Sequence, residues 1–293
     1  MKSWLALTTI KSFALLPMPL LRVLGRWVGY GAWLSNGRSR QITEFNIALC
    51  YPQLSAAQQR HLAKQSVQQL GVLLLEMGPV WRWSPQRLMQ HITEVSDLAL
   101  LERAEQAGKG TVVVLPHLGC WELMGVFLAQ RGAVTSLYQP PEDPGFDQMI
   151  YHARQRTGNT LVPTNTRGVK ALLKALKAGE TVVILPDQLP VEGSGEFADF
   201  YGQPTYTMTL VHNLIKRTGA NLVGAVAERT GRSGYKISFV PAPADINASD
   251  SKLSLTALNR CVENCVQLCP EQYQWEYNRF KWLPNGQRRS YKN

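Results

Sequence analysis

TVVVLPHLGCWELMG (111–125) and TVVILPDQ (181–188) carry the fold in their wording. Each opens on a short run of β-branched residues, apolar after the leading threonine, as a strand buried on both faces requires. Each then closes on Leu-Pro and a polar residue, His117 in one and Asp187 in the other. The first run leads into the apolar, helical WELMGVFLAQRG (121–132). To either side, AVTSLY (133–138), NTLVP (159–163), NLVGAVAER (221–229) and YKISFVP (235–241) read as strands. FDQMIYHARQRTG (146–158), RGVKALLKALKAG (167–179), TMTLVHNLIKRTG (207–219) and 253–268 read as helices, with Gly158 and Gly179 as stops. A further helix runs from Ser55 to Met77, with capping-box spacing at Ser55 and Gln58. Strand and helix alternate through short connections. That predicts an α/β fold with a mainly parallel central sheet flanked by helices. Ligands collect at the carboxyl ends of such strands, the edge to which His117 and Asp187 belong.

Composition narrows the class. The 293 residues carry 31 Lys and Arg against 21 Asp and Glu, a net charge of +10. Apolar residues make 45% and charged residues 18%, which excludes a disordered chain, a collagen and a coiled coil. No stretch of 18 or more residues lacks charge, which excludes a polytopic membrane protein. Five cysteines in a chain this long are no disulfide framework and suit a reducing, cytoplasm-facing setting. The excess charge sits at the ends. Residues 1–40 hold Lys2, Lys11, Arg22, Arg26, Arg38 and Arg40 and no acid; residues 279–293 hold Arg279, Lys281, Arg288, Arg289 and Lys292 and no acid. A near-neutral body with two basic ends argues against a nucleic-acid surface and for contact with an anionic membrane surface. The plain alternative is a pair of solvated tails.

Residues 1–37 sharpen that reading. Trp4, Leu5, Leu7, Ile10, Phe13, Leu20, Leu21, Leu24, Trp27 and Trp33 make an apolar segment interrupted by Pro17 and Pro19. We expect a membrane-associating helical segment lying in the interface, with Arg22 and Arg26 at headgroup depth, followed by a single domain over 38–293. A tilted span with snorkelling arginines and a helix packed into the body's own core are the other readings. No small-residue cleavage site follows, so a cleaved signal peptide is not expected.

The leading chemical candidate is His117 with Glu122. On a continuous helix residues five apart do not face each other, so the pair can meet only if the chain breaks at Pro116 and turns through Gly119. A carboxylate on one imidazole nitrogen leaves the other as a general base. With no G-x-S-x-G nucleophile motif in the chain, such a pair suits direct activation of a substrate hydroxyl. The competing reading is a strand-end histidine beside an unrelated helix glutamate. Cys120 is a weaker candidate, a thiol nucleophile. Cys261, Cys265 and Cys269 lie four apart and read as a small-residue core face rather than as metal ligands.

VLPHLGCWELMG resembles the H-x4-D/E motif of glycerolipid acyltransferases, in the glutamate form of the bacterial lipid A late acyltransferases. NIALCYP (46–52), SLYQPP (136–141), HARQRTG (152–158), TRGVKALLKALKAGETVVILPDQ (166–188) and PEQYQWEYNRFKWLP (270–284) resemble further segments of that family, in order. The resemblance implies a glycerolipid acyltransferase-like fold. It also implies transfer of a fatty acyl chain from acyl carrier protein to a hydroxyl of a lipid A precursor at the cytoplasmic face of the inner membrane. His117 would be the base and Glu122 its orienting partner. Arg154, Asp187, Arg156 and Arg167 would hold the thioester or the acceptor's phosphates. No cofactor or metal is implied; acyl-acyl carrier protein is the donor substrate, and a basic rim would steer that acidic partner. Leu123, Val126, Phe127 and the amino-terminal helix are candidate walls for the acyl chain. Three places depart from the family pattern: Cys120, Leu189-Pro190 and Glu276-Tyr277-Asn278. They bear on the acceptor more than on the reaction. The alternatives are the same chemistry on another lipid acceptor, such as a glycolipid, an aminolipid or an aryl polyene lipid, and a non-catalytic membrane lipid-binding protein.

Overall fold

The computed structural model describes residues 2–291, with side chains from Thr8 onward. Lys292 and the side chains of Lys2, Trp4, Leu5 and Leu7 lie outside the described residues. Four helices come first: α1 (Lys2–Phe13), α2 (Met18–Leu34), α3 (Arg38–Cys50) and the long α4 (Ala56–Arg82). The short α5 (Pro85–Met89), β1 (Ile92–Ser96) and α6 (Leu98–Gln106) lead into the alternating body. That body runs β2 (Thr111–Val114), α7 (Trp121–Ala129), β3 (Val134–Tyr138), α8 (Pro144–Gln155), β4 (Asn159–Pro163), α9 (Thr166–Lys177) and β5 (Thr181–Ile184). A hairpin, β6 (Gly195–Phe200) and β7 (Gln203–Met208), precedes α10 (Leu210–Thr218), β8 (Asn221–Thr230), β9 (Gly234–Pro241) and α11 (Ser251–Leu268).

Seven strands form one sheet in the order β1-β9-β8-β2-β5-β3-β4, parallel at every pairing except β8 with β9. The α/β reading and all six expected strands stand. β2 and β5 occupy the centre and are buried throughout, which is why both read as unbroken apolar runs. Three strands escaped the sequence. β1 is a largely polar edge strand, ITEVS. β6 and β7 pair only with each other, and the first residues of the helix expected over 207–219 belong to β7. There Thr205 and Thr207 alternate inward, a period of two that hydroxyl side chains conceal from a hydrophobic pattern.

α2 lies against α4 at backbone contact. Gly25, Gly29 and Gly71 permit this: a Cβ on Gly25 would stand 2.5 Å from the Val72 Cα. Met18, Leu21, Arg22 and Trp33 share the buried face. Arg22 is therefore not at headgroup depth. Its Nε is 2.8 Å from Glu76 Oε1, and its other nitrogens donate to the Thr230 and Gly234 carbonyls at 2.8 and 3.0 Å. Glu76 is fully buried and takes Arg229 on its second oxygen. A buried guanidinium persists only when paired in this way. Arg279, also expected at an anionic surface, is likewise buried, stacked on Phe200 and bonded to Asn259 at 2.7 Å. The opposite face of α2 is exposed and apolar: Leu20, Val23, Leu24, Val28 and Trp27, the last 67% accessible. Among the described residues no helix is long and apolar enough to cross a membrane. Cys261 and Cys265 pack their sulfurs against Gly224 in the core, and no cluster of His, Cys, Asp or Glu among the described residues is arranged to hold a metal ion.

Candidate active site

The sheet register builds the site. Val114 of β2 lies opposite Ile184 of β5, and the Leu115 amide donates to the Ile184 carbonyl at 3.0 Å. The two Leu-Pro endings therefore run side by side, which brings His117 against Asp187. The His117 amide donates to Asp187 Oδ2 at 2.8 Å, and its ring Nδ1 to Oδ1 at 2.9 Å. Asp187 is 2% exposed. Burial pushes its carboxyl up, but the His117 ring and amide outweigh that and hold it below the usual carboxylate range. The ionised carboxylate fixes the Nδ1–H tautomer, so Nε2 keeps its lone pair. Trp121 packs edge-on against the imidazole, ring centroids 5.1 Å apart.

The loop that carries His117 is held at every peptide. Gly119 takes φ +59°, and a Cβ there would collide with the Ala227 carbonyl. The Gly119 amide donates to Gln272 at 3.1 Å, the Cys120 amide to Ala227 at 2.8 Å, and the Gln274 amide to the His117 carbonyl at 3.0 Å. Arg229 donates to the Gly119 carbonyl at 2.9 Å. The break at Pro116 and the turn at Gly119 thus form as the sequence suggested, yet their product differs. Glu122 does not brace the imidazole. It sits in the first turn of α7, where its carboxylate meets Arg154 of α8 in a two-pronged pair, Nε to Oε2 at 3.1 Å and Nη2 to Oε1 at 2.5 Å. A guanidinium fork matches two carboxylate oxygens better than a single ring nitrogen does. Burial raises the Glu122 carboxyl, but the charge and hydrogen bonds of Arg154 outweigh that and hold it below its ordinary value. Asp187, expected to touch substrate, is the histidine's partner.

Arg154 uses Nε and Nη2 for that pair and also lines a narrow cleft with Trp121, Glu122, Leu115, Val126, Leu137 and Leu185. Of the expected acyl-chain walls only Val126 lines it among the described residues; Leu123 and Phe127 are buried in the core, Phe127 against Phe239. Arg156 does not join the site. It donates to the Arg82 and Val80 carbonyls at 3.2 Å each and so caps α4. Arg167 stands exposed at the start of α9 and does not line this cleft. Cys120 is fully buried and its thiol is pushed up to about 12 by that burial, so it is no thiolate nucleophile.

A family model described as bacterial lipid A biosynthesis acyltransferase matches residues 1–282. The chain belongs to that family. It is 27% identical over 286 residues to the lipid A biosynthesis lauroyltransferase of Escherichia coli strain K12, covering 97% of this chain and 92% of that one. It is also 27% identical over 287 residues to the palmitoleoyltransferase of the same strain, with the same coverage, and 23% identical over 296 residues to its myristoyltransferase, covering 99% and 90%. The segments that carry the family resemblance have physical work here. Asn46 of NIALCYP donates to the Trp275 and Tyr277 carbonyls at 2.7 and 2.9 Å, and so fixes the carboxy-terminal stretch that in turn clamps the His117 loop. In this lipid A acyltransferase family member, sequence reading missed Gln272, Gln274 and Arg229 as supports of that loop. The twin Leu-Pro-His and Leu-Pro-Asp endings were the one signal for the His117–Asp187 pair.

Proposed function

We propose that this protein transfers a fatty acyl chain from an acyl carrier protein thioester to a hydroxyl of a lipid A precursor at the cytoplasmic face of the inner membrane. The single observation that carries the reading is the imidazole of His117, tied through Nδ1 to Asp187, with no hydrogen bond to Nε2 among the described residues. Nε2 takes the hydroxyl proton as the acceptor oxygen bonds to the thioester carbonyl carbon. The carbon–sulfur bond then breaks, and the thiol leaves with that proton. General-base assistance of this kind contributes roughly 10²–10⁴-fold. Arg154, steadied by Glu122, supplies a charged donor for the developing oxyanion, a contribution of about 3 kcal/mol in comparable sites. The Leu115–Val126–Leu137 cleft takes the start of the acyl chain.

Membrane contact fits the exposed face of α2, where Trp27, Val23, Leu24 and Val28 offer a continuous apolar surface. The test is transfer from radiolabelled acyl-acyl carrier protein to a panel of acceptors by the purified chain. Acylation of a lipid A precursor that His117→Ala abolishes, with the fold intact, supports the reading. Transfer only to another glycolipid, aminolipid or aryl polyene lipid would retain the chemistry and replace the acceptor. Equal activity in His117→Ala would leave a lipid-binding protein without catalysis.

A further inference from the structure

A second cavity of about 550 Å³ lies between the start of α3, the stretch after Asp187 and the carboxy-terminal residues, and shares no lining residue with the Glu122–Arg154 cleft. Its connection to the site is direct. Leu189, two residues beyond Asp187, donates its amide to the Tyr277 hydroxyl at 3.0 Å, and both residues line the cavity. Three cations reach it from distant parts of the chain: Arg38 at the start of α3, and Lys281 and Arg288 from the carboxy-terminal stretch. Among the described residues none of the three has a carboxylate within ion-pair distance. Arg38 also stands at a helix N-terminus, where the helix dipole opposes a positive charge and favours an anion. Gly37 supplies no side-chain cap there. Asn278 lines the same wall.

We propose that Arg38, Lys281 and Arg288 form a binding pocket for a phosphate monoester on the acceptor lipid. The inference rests on the acyltransferase reading for its choice of ligand. It gives the acceptor an anchor on one side of the imidazole and leaves the Glu122–Arg154 cleft to the acyl donor. Phosphate suits three convergent cations, because its oxygens accept several charge-assisted bonds at once. Among the described residues Glu276 is the one carboxyl in the wall. Burial raises it to about 7, the His117 ring pulling weakly the other way, so near neutrality it can hold a proton beside an anion.

The test is equilibrium binding to the full chain in detergent micelles, with no acyl donor present. The probes are an acylated glucosamine disaccharide carrying a phosphate monoester and the same lipid with the phosphate removed. The wild type is expected to prefer the phosphorylated lipid by about tenfold or more. Arg38→Ala, Lys281→Ala and Arg288→Ala each lower that preference at least about fivefold, while Lys281→Arg keeps it and affinity for the dephosphorylated lipid stays unchanged. The preference is a ratio within each variant, so a general loss of folded protein does not mimic it. Equal preference in wild type and the alanine variants overturns the inference. So does a raised KM for the acyl carrier protein thioester with the acceptor preference intact, which would assign the pocket to the donor's phosphodiester. Loss of binding to phospholipid vesicles with that preference intact also overturns it, in favour of a bilayer headgroup. A wild type that prefers the phosphorylated lipid but transfers no acyl chain would defeat the proposed function and leave this pocket standing.

Discussion

Asp187, in the loop after β5, and Glu122, in the first turn of α7, are two carboxylates near His117, and they do different work. Asp187 is 70 positions from the histidine in sequence and is its hydrogen-bond partner at 2.9 Å. Glu122 is five positions away and is committed to Arg154. The difference lies in how each residue is reached from its strand. β2 and β5 run in register, so residues three beyond their last paired positions meet regardless of the chain between them. Glu122 lies beyond a tight turn, inside a helix whose axis sets its direction. Sheet register outranks sequence proximity here in choosing the partner of a side chain.

Variants at these positions probe that contrast. His117→Ala removes the base itself and is expected to cost on the order of 10²–10⁴ in kcat. Single-turnover transfer, with circular dichroism to confirm the fold, measures it. Asp187→Asn keeps the shape but reverses the preferred tautomer, with a loss on the order of 10²–10⁴ and little change in acceptor KM. Glu122→Gln leaves the imidazole clamped and loosens Arg154; a loss of about tenfold fits one weakened charged donor. Thermal unfolding of Glu122→Gln should also show a modest stability loss, because Arg154 is partly exposed.

Acid titration separates the carboxyls by sign. Asp187 and Glu122 are both held below their ordinary values, so they bind fewer protons folded than unfolded. Their stabilisation is present above the ordinary carboxyl range, near about 4, and is lost as pH falls through their folded values. Glu276 is the reverse. Raised to about 7, it favours the folded state at low pH, and that contribution disappears as pH rises from about 4.5 to about 7. Melting curves should show Asp187→Asn losing less stability than the wild type on acidification. Glu276→Gln should gain on the wild type at pH 8 more than at pH 5. Smallest of all is Cys120→Ser, expected to keep kcat within about twofold, since a buried thiol raised to about 12 supplies no nucleophile.

The body of the fold was legible because its signals are local. Unbroken valine runs mark β2 and β5, and Gly158 and Gly179 close helices at the expected points. The helix over 55–77 begins at the Ser55–Gln58 capping box but continues to Arg82, carrying Pro79 within its last turn. The features that stayed hidden are relational. Strand order is not written in any one strand, so the neighbourhood of β2 and β5, and with it the His117–Asp187 pair, emerged only from the assembled sheet. Buried charge is hidden for the same reason. Arg22 looks like a membrane anchor among leucines until Glu76, from another helix, is found opposite it. Glycines at 25, 29 and 71 set that approach, a contact that composition alone does not reveal.

A double-mutant cycle on kcat is the sharpest probe of the His117–Asp187 pairing. If Asp187 acts through the imidazole, adding Asp187→Asn to His117→Ala should cost no more than His117→Ala alone, within about threefold, because the group it orients is gone. Adding Glu122→Gln to His117→Ala should still lower the residual rate by about its own single-variant factor. Multiplying losses for His117 and Asp187, with non-additive losses for His117 and Glu122, would contradict the pairing and return Glu122 to the role of the histidine's partner.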